Sequence, residues 1–158
     1  MEPELAVLVG LQASGKSTFA QSRFVATHCV VSKDLMGPSV RKEKRQRREV
    51  GEALGLGRSV VVDNTNPGPA QWLPLIALGR EYGARTVAYF FPPDVRGCVA
   101  RNGARPEGRR VPDVGVFATL RALRRPGLAD GFDAVYVVEY DGSRFSVVSA
   151  GEGRDEVQ

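Results

Sequence analysis

Residues 5–17, LAVLVGLQASGKS, constrain this chain more than any other stretch. An apolar run stops at Gly10. Gly10, Gly15, Lys16 and Ser17 then satisfy G-x-x-x-x-G-K-[ST] at every fixed position. The run reads as a buried strand of a parallel sheet, because such strands are covered on both faces. A helix is expected from about Lys16 to Ala26. The chemistry of the loop dictates its residue types. Glycines let the backbone curl until its N–H groups converge on a phosphate. Lys16 places a positive charge on the outer phosphate oxygens, Ser17 offers a hydroxyl to Mg²⁺, and the helix N-terminus adds partial positive charge. A strand–loop–helix of this kind needs further parallel strands around it.

The rest of the chain supplies them. CVVS (29–32), SVVVD (59–63) and RTVAYFF (85–91) are short strand-like runs. Helices are expected between them, from about Ser39 to Leu54 with Pro38 in the first turn, and after NTNPGP (64–69) through about Tyr82. Asp94 suits the cap of a helix reaching about Asn102, and another helix is expected near Val114–Arg124. AVYVVEY (134–140) and SRFSVVS (143–149) flank Asp141-Gly142, a two-residue hairpin signal. The alternation predicts an α/β fold, a central parallel sheet flanked by helices with an antiparallel hairpin at one edge. A single domain over residues 1–150 is expected, with an arginine-rich, proline-broken lid at about 103–113. The acidic residues 151–158 read as a frayed tail.

Composition narrows the function. The chain has 158 residues, 42% hydrophobic and 25% charged, with a net charge of +4. No apolar run approaches the ~20 residues of a membrane span. The first ten residues carry two glutamates and no basic residue, a poor secretory signal. Cys29 and Cys98 are too few for a disulfide framework, and one histidine, His28, leaves no His-rich metal site. A reducing cytoplasm is expected. The base is mostly arginine, 18 against 4 lysines. A GC-rich genome accounts for such a bias, and so does a need for planar phosphate forks. The arginines cluster in 41–48, 101–110 and 121–125.

A phosphate loop implies a nucleoside triphosphate without choosing between motor, switch and kinase. No N-K-x-D base-reading sequence occurs, and the length leaves little room for a motor. Asp34 follows the second strand, at the carboxyl end where ligands bind in such sheets. It is either a general base facing the γ-phosphate or a cap for the helix near Pro38. Asp63 ends an apolar strand, where it either holds a magnesium-bound water, orients the acceptor or closes an Asx-turn. Arg101 and Arg105, four apart, are lid arginines or a solvated cluster. Arg41, Lys44, Arg45 and Arg48 share a face of a helix with no apolar residue between Val40 and Val50, suited to a polyanion or to solvent. Trp72 is either a base-stacking surface or core.

Together these residues resemble the kinase domain of the polynucleotide 5′-kinases, most closely the kinase half of the bifunctional polynucleotide kinase/phosphatases. GLQASGKST matches the phosphate loop, SKDLMG a short K/R-D-x-x-G element, VVVDNTNP an apolar-strand-DNTNP element, and RNGAR with Val111-Pro112 the lid pattern. The resemblance spans roughly residues 5 to 140. It implies a P-loop kinase fold with strand order 2-3-1-4-5 and transfer of the ATP γ-phosphate to a nucleic acid 5′-hydroxyl. ATP would lie against Gly10, Gln12, Ala13, Ser14, Gly15, Lys16, Ser17 and Thr18, with Arg105 and Arg101 closing over it. Asp34 would be the base, and Asp63, Asn64 and Thr65 would line the acceptor side. Mg²⁺ would sit on Ser17 and, through water, Asp63. Arg41, Lys44, Arg45 and Arg48 would rim the acceptor. A repair ligase or phosphatase would be a natural partner.

Gln12-Ala13 stand where relatives commonly have Pro-Gly, and Gly37 where phage-type relatives carry arginine. No D-x-D-G-T phosphatase motif occurs, so a stand-alone kinase is expected. A kinase for a small hydroxyl-bearing acceptor (a sugar, a nucleoside or an antibiotic) and a non-catalytic ATP-dependent nucleic-acid binder are the alternatives.

Overall fold

The computed structural model of the chain describes residues 2–37 and 41–152. Six strands form one sheet in the order β2-β3-β1-β4-β5-β6: β1 Glu4–Val9, β2 His28–Val31, β3 Ser59–Val62, β4 Arg85–Phe90, β5 Ala134–Tyr140 and β6 Phe145–Glu152. The first five run parallel, and β6 returns antiparallel to β5. The helices are α1 Lys16–Arg23, α2 Lys42–Gly55, α3 Pro69–Glu81, α4 Val95–Gly103 and α5 Asp113–Ala122. The expected order 2-3-1-4-5 with a hairpin edge is the observed one.

β1 is central, bonded to β3 on one side and β4 on the other, which is why every residue of LAVLV is fully buried. Side chains alternate across the pleat. Leu5, Val7 and Val9 join Val60, Val62, Trp72, Leu75, Ile76, Val50 and Leu54 on one face. Ala6 and Leu8 join Phe19, Phe24, Val61, Val87, Tyr89 and Phe91 on the other. A continuous apolar run is what a strand with two buried faces requires. Trp72 is 1% exposed and its indole N–H donates to the Asn66 carbonyl, so of its two readings the core holds.

Several boundaries differ from expectation. α1 ends at Arg23, three residues early, in a turn that includes β-branched Val25 and Thr27. The predicted start of α2 at Pro38–Ser39 lies outside the described residues, and the helix is described from Lys42. α5 begins at Asp113 and stops at Ala122. The hairpin is not two-residue: β5 ends at Tyr140 and β6 starts at Phe145. The Asp141 carboxylate accepts the N–H groups of Arg144 and Ser143, a local arrangement that competes with the ladder and widens the loop. Those same N–H groups hold its carboxyl below the usual range. β6 continues through Glu152, so residues 151–152 belong to the sheet rather than to a tail. Residues 153–158 of the predicted tail lie outside the described residues. No helix among the described residues is long and apolar enough to cross a membrane.

The loop after β3 ties the centre of the sheet together. Asn66, 2% exposed, adopts φ 43° and donates its amide to the carbonyls of Leu8, at 2.8 Å, and of Asn64, at 3.4 Å. Asn66→Ala should destabilise the fold by about 3 kcal/mol, combining a buried carbonyl left unpaired with a strained left-handed backbone. Asn66→Gly keeps the backbone freedom and should recover about 1 kcal/mol of that loss. Urea midpoints of the two variants against the wild type measure both contributions.

Candidate active site

The site lies at the carboxyl ends of β1, β2 and β3 and begins with the loop between β1 and α1. Gly10 must be glycine: a Cβ there would stand 2.8 Å from Phe91 Cβ. Gly15 has φ 94°, and Ala13 also takes a positive φ of 58°. These turns fold the loop around Lys16, whose Nζ donates to the carbonyls of Gly10, at 3.0 Å, and Leu11, and to Ser14 Oγ at 3.2 Å. Burial pushes the lysine down to about 8, only partly opposed by the charge of Asp63. The cation is thus held by carbonyl dipoles at the mouth of a helix, a cradle suited to phosphate oxygens. Ser17 and Thr18 open α1 and are exposed.

Asp63 reaches this loop from the end of β3. Its Oδ2 accepts the Ser17 hydroxyl at 2.8 Å, and burial raises its carboxyl above the usual range. Of the readings left open for Asp63, this contact places its carboxylate on the Ser17 side. A hydroxyl beside a carboxylate is a hard-oxygen donor pair of the kind Mg²⁺ takes together with phosphate and water. Among the described residues no group of three or more His, Cys, Asp or Glu gathers that could hold a metal unaided. The neighbouring Thr65 carbonyl accepts the Gly10 N–H at 3.0 Å, fixing the two loops to each other.

The other side of the site is built from β2 and α2. Asp34 is exposed within a short 3₁₀ turn, Lys33–Met36, and its N–H donates to Ser32 Oγ. α2 takes Arg41 as its N-cap residue, so Asp34 does not cap the described helix. Asp34 instead contributes to the field at both Lys16 and Asp63. A relay that sequence reasoning missed supports it. Asn64 Oδ1 accepts the Lys33 N–H at 3.0 Å, and its amide donates to Gln46 Oε1 at 2.6 Å. Gln46 is 3% exposed, so α2 is not polar on all sides without consequence: an amide pair replaces apolar packing there. No periodicity rule would have singled out that glutamine. Two of the α2 cations are paired: Arg45 pairs with Glu49 and donates to the Met36 carbonyl, and Arg48 lies 3.9 Å from Glu52, while Glu43 pairs with Lys33 of the preceding turn. Arg41 and Lys44 are exposed at the same end.

Arg101 and Arg105 follow different paths. Arg101 on α4 donates its Nε to the Ala13 carbonyl at 2.7 Å and lies over the Tyr140 ring at 5.4 Å. Tyr140 stacks on Phe145 at 4.5 Å, and both rings cover Gly15, where a Cβ would approach Tyr140 to 3.0 Å. This aromatic cover from the terminal hairpin was also absent from the sequence reading. Arg105 lies past the end of α4, and its charge acts on both Lys16 and Asp63. Between them Asn102, fully buried, clips the segment shut: its amide donates to the Val111 carbonyl at 2.5 Å, and its Oδ1 accepts the Val111 N–H at 3.0 Å. Gln12 donates to Thr119 Oγ1 of α5 at 2.9 Å, while its Oε1 is buried with no partner among the described residues.

Solved structures place this architecture among the P-loop kinases. A gluconokinase from Sinorhizobium meliloti 1021 is similar, with TM-score 0.64 and 18% identity over 88% of this chain and 83% of that one. A fungal RNA kinase is similar, with TM-score 0.65 and 13% identity over 91% and 77%. The APS kinase of Mycobacterium tuberculosis gives TM-score 0.57 and 18% identity over 90% and 91%. The family model described as AAA domain matches residues 5–126. That match spans more than half of the chain, phosphate loop included, and the chain belongs to the AAA domain family.

Proposed function

We propose that this protein is a polynucleotide 5′-hydroxyl kinase that transfers the γ-phosphoryl group of ATP to the 5′-OH end of DNA or RNA, in nucleic-acid repair. The observation that carries the reading is that the Lys16–Ser17–Asp63 phosphate cradle and Asp34, an exposed carboxylate, follow the ends of paired strands, with the Lys33 N–H bonded to Asn64 Oδ1 between them. A nucleotide binder has no need of a free carboxylate there, whereas phosphoryl transfer to an alcohol does. The matches to SKDLMG and VVVDNTNP favour a polynucleotide acceptor. The likeness to a fungal RNA kinase agrees with it, and the likeness to a gluconokinase keeps a small hydroxyl acceptor as the second reading.

In this reading Asp34 accepts the proton of the 5′-hydroxyl as its oxygen bonds to the γ-phosphorus. The bond from that phosphorus to the bridging oxygen breaks, and ADP leaves. Lys16 and the loop N–H groups hold the phosphates. Arg105 stabilises charge spreading over the transferring group as the segment 103–113 closes like a lid. Arg101 anchors that lid to the loop at Ala13. Bound at Ser17 and, through water, Asp63, Mg²⁺ would supply charge neutralisation on the phosphate oxygens. Asn64 and Thr65 line the acceptor side, and Gln46 positions Asp34 through Asn64 and Lys33. Arg41, Lys44, Arg45 and Arg48 rim the acceptor.

With γ-labelled ATP and Mg²⁺, label should pass to an oligonucleotide ending in 5′-OH and not to one ending in 5′-phosphate. Label on small hydroxyl metabolites alone would select the second reading. Asp34→Asn should lower turnover about 10²–10⁴-fold with ATP affinity retained. Turnover at the wild-type level would remove Asp34 as the base. Lys16 carries a pH signature. Its folded value near 8 lies below the usual 10.5, so the charged lysine costs stability below about pH 8, and this cost fades as pH rises toward 10.5. Phosphate binding favours the charged form. ATP binding between pH 8 and 9 should therefore take up a proton, seen as a calorimetric enthalpy that depends on the buffer and vanishes in Lys16→Met.

A further inference from the structure

The basic helix α2 is not the only concentration of positive charge. α2 with Arg41 holds six cations and three glutamates; Arg45 pairs with Glu49 and Arg48 with Glu52, while Glu43 pairs with Lys33 from outside the helix. Residues 101–125 hold seven arginines against Glu107 and Asp113, and among the described residues none of these nine side chains forms an ion pair. Within that stretch α5 has two distinct faces. Val116 is fully buried, and Thr119 meets Gln12 of the phosphate loop. The opposite face carries Val114, Phe117 and Arg121 at i, i+3 and i+7, all exposed, Val114 at 71% and Phe117 at 43%. Arg124 and Arg125 follow the helix end, also exposed. That end is fastened to the acceptor loop: the Arg124 N–H donates to the Pro67 carbonyl at 2.8 Å, four residues after Asp63.

An apolar and aromatic surface that runs into unpaired arginines is what single-stranded nucleic acid takes. Guanidinium groups follow the phosphates, and a ring stacks bases without regard to sequence. A small sugar or nucleotide acceptor would not reach along a helix of this length. We propose that the Val114–Phe117–Arg121 stripe of α5, continued by Arg124 and Arg125, is the track that holds single-stranded nucleic acid while its 5′ end enters at the loop after β3. This inference rests on the polynucleotide reading for its orientation, and its binding test is independent of catalysis.

The experiment measures anisotropy of a short, 3′-labelled, single-stranded 5′-OH oligonucleotide with the full-length protein as KCl is raised. Phosphoryl transfer to the same oligonucleotide is assayed in parallel. Replacing Arg121, Arg124 and Arg125 with Gln should weaken binding about tenfold and reduce the salt slope by about two, near 0.7 for each lost phosphate contact. The same three positions changed to Lys should keep most of the slope, which separates lost charge from lost folding. Phe117→Ala should weaken binding about tenfold with the slope unchanged, because stacking releases no counterions. Replacing Lys44, Arg45 and Arg48 with Gln should reduce the slope less than the α5 set does. Unchanged affinity and slope in the Arg→Gln variant would overturn the track and leave the stripe to an acidic protein surface. A larger slope change from the α2 set, or a wild type that does not bind the oligonucleotide, would overturn it equally. Binding of the predicted pattern without phosphoryl transfer would sink the kinase reading and leave the track standing. Transfer with no effect of the α5 variants would do the reverse.

Discussion

The chemistry of this fold depends on two adjacent parallel strands ending together. β1 and β3 pair in register from Leu5 with Val60 to Val7 with Val62, so the phosphate loop and the DNTN loop leave the sheet side by side. Three bonds then lock those loops: Gly10 N–H to the Thr65 carbonyl, Ser17 Oγ to Asp63, and the Asn66 amide to the Leu8 carbonyl. Each joins a residue of one loop to a residue more than forty positions away. A slip of either strand by one residue would turn its buried side chains to the opposite face and separate Ser17 from Asp63. The site is precise because the sheet register is.

The same geometry explains how Lys16 can be buried. Desolvating an ammonium group is expensive, and among the described residues no carboxylate bonds to it directly. The carbonyls of Gly10 and Leu11 stand in for water. They point there only because Ala13 and Gly15 accept left-handed backbone torsions. Burial still dominates and holds the lysine near 8. The carbonyls thus fix the ammonium group at the start of α1, where its charge would favour an anion.

The sequence made some of this readable and hid the rest for physical reasons. Strand order and the phosphate loop could be read because they are local: apolar runs of strand length, a motif with fixed spacing, helices of ordinary size between them. The Asp94 cap was readable for the same reason, and its side chain accepts the Gly97 N–H as expected. Contacts between distant segments were not. Gln46 sits in a run of charges and reads as one more polar residue until Asn64, from another strand end, meets it. Tyr140 and Phe145 look like edge-strand residues, and only the three-dimensional path of the hairpin brings them over Gly15. The wider hairpin loop was missed because Asp141 makes its own turn through side-chain bonds that compete with the ladder.

Charge was the least readable property, because a cation's availability depends on its neighbours rather than its count. Read along the chain, the cluster at 41–48 is the strongest basic signal. In three dimensions its helix geometry brings Glu49 to Arg45 and Glu52 to Arg48, each four residues on, and the turn after β2 brings Lys33 to Glu43. Exposed pairs of this kind contribute little to stability. They nonetheless lower the field that a polyanion would meet. The arginines from 101 to 125 have only Glu107 and Asp113 among them, and among the described residues neither acid pairs with one, although Asp113 stands four after Arg109. Arg121, Arg124 and Arg125 lie on α5 or just past its end, in the segment that meets the phosphate loop at Thr119 and the loop after β3 at Arg124.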